Sequence, residues 1–74
     1  MADLEDWNRM FEEWHSARAA LDALQANIDA EVKLCFEGAS SGPTKAMQQE
    51  VLDLRLNEAQ LRTALDHFIS EAFE

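Results

Sequence analysis

Apolar residues recur along the first half of the chain at Leu4, Trp7, Phe11, Trp14, Ala17, Leu21, Leu24, Ile28, Val32 and Cys35, nine steps over 31 residues. Their mean step of about 3.4 is close to the 3.5-residue repeat that holds one seam of a helix against a partner helix. Met10, Ala20 and Phe36 widen this stripe, as suits packing against more than one helix. In the second half Met47, Val51, Leu54, Glu58, Leu61, Leu65, Phe68 and Ala72 step alternately by four and three, a heptad seam with one polar defect, Glu58. Between the stripes lies Gly38-Ala39-Ser40-Ser41-Gly42-Pro43, which holds both glycines and the only proline. The pattern predicts an all-α antiparallel helical hairpin, with helices over 3–37 and 43–72 and a turn at 38–43, as one domain over 1–74.

The ends of these helices carry stop and start signals. Asp3 suits an N-cap, with Glu5 and Asp6 favourable at the positive end of the first helix. Gly38 stands where a left-handed C-terminal residue is expected. Pro43 suits a first helical position, capped by Gly42 or Ser41. A reversal near residue 41 pairs positions whose numbers sum to about 82, which brings Trp7, Phe11 and Trp14 to Phe68, Ile69 and Phe73 at the open end. His15 then comes near His67.

Leu52, Leu56 and Ala59 lie off the second seam. One partner helix covers one seam, so these residues need another cover, and a second copy is the simplest. A chain of 74 residues points the same way, because a core of this size supplies only about 3–5 kcal/mol. The expected assembly is an antiparallel four-helix dimer held by Leu52 and Leu56. Trp7, Phe11, Trp14, Phe68 and Phe73 are the expected partner-binding residues, since exposed aromatics anchor protein interfaces. Buried core packing is the alternative use of the same side chains. Glu58 and Arg18 are placed to pair across the hairpin after a small shift of register.

Charge narrows the partners. The net charge is −9, with −6 over residues 1–37 and −3 over residues 38–74. Such a chain repels nucleic-acid phosphates and anionic lipid, so neither nucleic acid nor membrane is an expected direct partner. At 47% hydrophobic residues it is too apolar for a disordered acidic tail. Glu5, Asp6, Glu12 and Glu13 would rim the aromatic patch and favour a partner with a basic border. An alternative is an acidic mimic of nucleic acid, with a strip of Glu12, Glu13, Asp22, Asp29 and Glu31. The lone Cys35 and the absence of a secretory pattern suit a cytoplasmic setting.

Catalytic chemistry has few candidates. Glu12 and His15 have the spacing that places a carboxylate and an imidazole on one helical face, and His67 with Glu71 would approach them across the hairpin. The second helix has no Glu-x-x-His of its own, so this quartet is a weak metal candidate, and no cofactor is expected. Cys35 on the seam acts as a small hydrophobe. Gly38 to Gly42 lacks the lysine-serine ending of a phosphate loop. Two long helices offer no deep cleft for an enzyme site. A non-catalytic protein–protein interaction module, as an adaptor, chaperone or inhibitor, is the expected role.

In length, glycine-bearing turn and the glutamine-rich run Lys45-Ala46-Met47-Gln48-Gln49-Glu50, the chain resembles the small helical-hairpin co-chaperones of type III secretion needles. The likeness covers architecture and these few residues, without a diagnostic motif, and this chain is the more acidic. It implies a chaperone role. Plasmid-encoded RNA-binding hairpins that form dimeric four-helix bundles are similar in layout, but their function needs a basic or polar RNA face. Small acidic helical proteins of bacteriophages that inhibit host factors are similar in layout too.

Overall fold

A computed structural model describes residues 3–73, as two helices and a connecting turn. Helix α1 runs Leu4–Phe36 and α2 runs Lys45–Ala72. They lie antiparallel in a rod of 56 × 16 × 15 Å. Neither helix is long and apolar enough to cross a membrane.

The ends follow local chemistry. The Asp3 carboxylate accepts from the Asp6 N–H at 2.8 Å and caps α1. At the other end Gly38 takes φ +80°, the Gly38 N–H bonds the Cys35 carbonyl, and the Ala39 N–H bonds the Leu34 carbonyl. This pair of bonds is the Schellman arrangement, and only glycine enters its left-handed position without strain. The cap of α2 departs from the sequence expectation. Thr44, not Gly42 or Ser41, is the N-cap, accepting from the Met47 N–H at 3.1 Å, and Pro43 lies outside the helix. A threonine oxygen can close that bond, whereas Gly42 has no side chain to offer, so α2 starts two residues later than expected.

The turn also sets the register. The Ser40 hydroxyl donates to Glu31 at 2.7 Å and accepts from the Gly42 N–H at 3.1 Å. A Cβ built on Gly42 would stand 3.6 Å from the Cys35 sulfur, so the loop folds back along the last turns of α1. The two helices are therefore offset relative to a symmetrical turn. The numbers of cross-helix neighbours sum to 75 for Trp7–Phe68 and to 72 for Trp14–Glu58, against the expected 82.

The seam lies where the heptad pattern puts it on α2. Met47, Val51, Leu54, Glu58, Leu61, Leu65 and Phe68 are buried or half-buried, while Ala72 at the end is exposed. On α1 the inward line is Trp7, Met10, Trp14, Ala17, Leu21, Leu24 and Ile28, continued by Glu31. Leu4 and Phe11, and at the turn end Val32 and Cys35, read as seam residues, are exposed instead. The offset withdraws α2 from that end, and the loop, not an apolar helix face, covers Cys35 in part.

Candidate functional site

Seam packing leads directly to the aromatic end. Trp7 sits one turn before Phe11, and Phe11 one turn before Trp14, so their rings meet along one edge of α1. Ring centroids are 6.0 Å apart for Trp7–Phe11 and 5.7 Å for Phe11–Trp14. Phe68 reaches across from α2 to Trp7 at 5.7 Å. All three contacts are tilted, the geometry that suits the charge distribution of aromatic rings. Trp7, Trp14 and Phe68 are half-buried, and Phe11 lies at the exposed margin.

Beyond Trp7 the helices do not close over one another. Asp3, Leu4, Trp7, Phe68, Ile69, Ala72 and Phe73 line an apolar cleft of about 440 Å³. Phe73 is 85% exposed and Leu4 73%, so two large apolar side chains stand in solvent at its walls. Each stands at a helix terminus, Leu4 as the first residue of α1 and Phe73 as the C-cap of α2. Asp3, Glu5 and Asp6 bring carboxylates to this end, with Asp6 partly offset by Arg9 at 3.6 Å. Of the expected partner-binding residues, Trp7, Phe68 and Phe73 thus line the cleft, while Phe11 and Trp14 continue the aromatic edge away from it. Leu4 and Ile69 are cleft walls that the sequence reading did not single out as contacts. Their place at the two helix ends, beside the aromatic run, was the available signal.

About three turns further along α2 is a buried acid. Glu58 is 4% exposed in the middle of the α2 seam. Its carboxylate accepts from the Trp14 indole N–H at 3.0 Å, and the guanidiniums of Arg18 and Arg62 lie 3.9 and 3.8 Å away. The Arg18 pairing is the one expected after a register shift. The Trp14 bond was missed, although an indole N–H turned into a seam needs an acceptor and Glu58 is the polar member of the opposite seam. Among the described residues no buried side-chain polar atom lacks a partner.

The four metal candidates do not converge. His67 bonds Glu71 on its own helix at 3.0 Å, and the His15 ring stands 6.1 Å from Phe11. Among the described residues no three His, Cys, Asp or Glu side chains gather in a metal-holding group. The register is the cause, since His15 and His67 face one another only in the symmetrical alignment. The carboxylates of the expected acidic strip are engaged locally: Asp22 with Arg18 at 3.3 Å, Asp29 with Gln25 at 3.3 Å, and Glu31 with Ser40. Glu12 and Glu13 are exposed.

On α2, Leu52 and Leu56 are 55% and 60% exposed and touch no seam. A shallow groove between the helices is lined by Arg18, Leu21, Asp22, Gln25, Arg55, Glu58, Ala59 and Arg62. Three of the chain's six cations meet there with two carboxylates, Asp22 and Glu58, which pair with Arg18 and Arg62.

No family model, curated protein or solved structure matches this chain.

Proposed function

We propose that this chain is a non-catalytic protein–protein interaction module of the adaptor, chaperone or inhibitor kind. It binds a helical partner at the open end of the hairpin, through Trp7, Phe11, Trp14, Phe68 and Phe73. It also self-associates through Leu52 and Leu56 into a four-helix dimer, in a cytoplasmic setting. The observation that carries the reading is the apolar cleft with Leu4 and Phe73 exposed at its walls. Large apolar side chains grouped at one solvent-facing site mark places where a monomer's surface is covered by something else. The acids of the first turn of α1 give that site a negative margin, which favours an amphipathic segment edged with lysine or arginine.

Titration with a synthetic amphipathic helical peptide, made with either lysine or glutamate at its borders, tests the reading through tryptophan fluorescence. The lysine-bordered peptide is expected to bind saturably and the glutamate-bordered one not to bind. The double variant Leu4→Ala/Phe73→Ala is expected to raise the dissociation constant by about tenfold or more, as for loss of interface anchors. Its far-ultraviolet circular dichroism should be unchanged, because both residues are exposed. Absence of binding by the lysine-bordered peptide, or equal binding by the double variant, contradicts the proposed site.

A further inference from the structure

We infer that the second copy packs antiparallel along α2, with Arg55 of each chain opposite Asp66 of the other. This rests on the self-association proposed above and gives it an orientation and a register, in which Leu52 lies inside the interface and Leu56 outside it. The first observation is geometric. Leu52, Arg55, Ala59, Arg62, Asp66 and Ile69 step by three and four, and each follows a seam member, from Val51 to Phe68, by one residue. One residue turns an α-helix by about 100°, so this second stripe lies a quarter-turn round from the face that packs on α1. A helix in a four-helix bundle presents two such faces to its two neighbours. Here one face is occupied by α1, and the other holds Leu52 and Ile69, 55% and 44% exposed, with Ile69 at the corner shared with the open-end cleft.

Charge then selects the occupant and its direction. Two chains of net charge −9 repel one another. That repulsion is least where acids are balanced, and in the groove beside this stripe Arg18 and Arg62 offset Asp22 and Glu58, leaving Arg55 as its surplus cation. Arg55 and Asp66 have no ion-pair partner within their own chain among the described residues. The Arg55 guanidinium bonds the Gln25 side-chain oxygen at 2.8 Å, which leaves donors free for a carboxylate. An antiparallel pair with its two-fold axis between Ala59 and Arg62 sets Arg55 against the second copy's Asp66, twice. The same register sets Leu52 against the second copy's Ile69, also twice. The small side chain of Ala59 leaves room there for the stem of the second copy's Arg62. A parallel pair would instead oppose Arg55 to Arg55 and Asp66 to Asp66.

Charge reversal tests this by sedimentation equilibrium. The wild type is expected to dimerise. Arg55→Glu and Asp66→Arg are each expected to raise the dimer dissociation constant by roughly tenfold or more at low salt, because each creates two like-charge contacts. Mixed in equal amounts, the two variants are expected to recover wild-type association, since the mixed pair has both contacts complementary. Both sites are exposed, and circular dichroism of each variant is expected to match the wild type. Wild-type-like dimerisation of either variant alone, or a mixture that stays monomeric, overturns the Arg55–Asp66 arrangement while leaving self-association standing. A monomeric wild type overturns self-association itself and this arrangement with it.

Discussion

Leu65→Ala is expected to remove most of the hairpin's stability at 25 °C. Leu65 is 6% exposed, the most buried apolar side chain of the hairpin. Truncating such a leucine costs about 2–5 kcal/mol, the lost transfer energy plus the cavity left behind. A core of this size has only about 3–5 kcal/mol in hand. Urea titration followed by circular dichroism is the measurement, at one chain concentration, because association adds to apparent stability. Gln60→Ala, at an exposed position of the same helix, is expected to stay within about 0.5 kcal/mol of the wild type. Equal stability of the two variants would remove Leu65 from the core.

Glu58 is expected to show two opposite effects. Glu58→Ala should cost about 2 kcal/mol, since it opens a void in the seam and removes the acceptor of the Trp14 indole. Glu58→Leu should leave stability unchanged or raise it, because an apolar residue of similar volume needs no desolvation of a carboxylate. Arg18 and Arg62 are about half exposed and can be hydrated when the acid is gone. What Glu58 contributes is then specificity. A seam of uniform leucines can slip by a heptad, whereas one acid that must find one indole fixes the alignment. Glu58→Leu is accordingly expected to broaden the tryptophan side-chain signals in NMR spectra even as it resists urea. A sharp, single set of signals would show that packing alone fixes the register.

Much of this architecture is written in the sequence. The α2 heptad is legible residue by residue from Met47 to Phe68, because a regular step of three and four leaves one way to bury a helix. Gly38 is legible as a helix stop, because no other residue type enters that conformation freely. On α1 the choice between Met10 and Phe11 was not. Neighbouring positions differ by about 100°, both are apolar, and only the opposite helix decides which turns inward. Phe11 takes the margin and stacks between Trp7 and Trp14.

The register was hidden for a different reason. The length of a turn fixes how far the chain can reach, not which way the turn leans. Ser40 bonding Glu31 and Gly42 lying against Cys35 lean it back over α1. That lean, together with the Trp14–Glu58 bond, separates His15 from His67 and leaves Val32 and Cys35 uncovered. The open-end cleft was partly legible, since the aromatics cluster at the termini. Its walls depended on where each helix stops.

The offset pairing of the helices is the claim on which the cleft, the buried acid and the α2 stripe all depend. The Trp14 indole proton reports it directly, through isotope-edited nuclear Overhauser spectroscopy of the monomer fraction. Cross-peaks from that proton to the Glu58 side chain, together with Trp7 ring cross-peaks to Phe68, are predicted. Cross-peaks from the Trp14 indole to Phe68 in place of Glu58, as in the symmetrical alignment, would contradict the account.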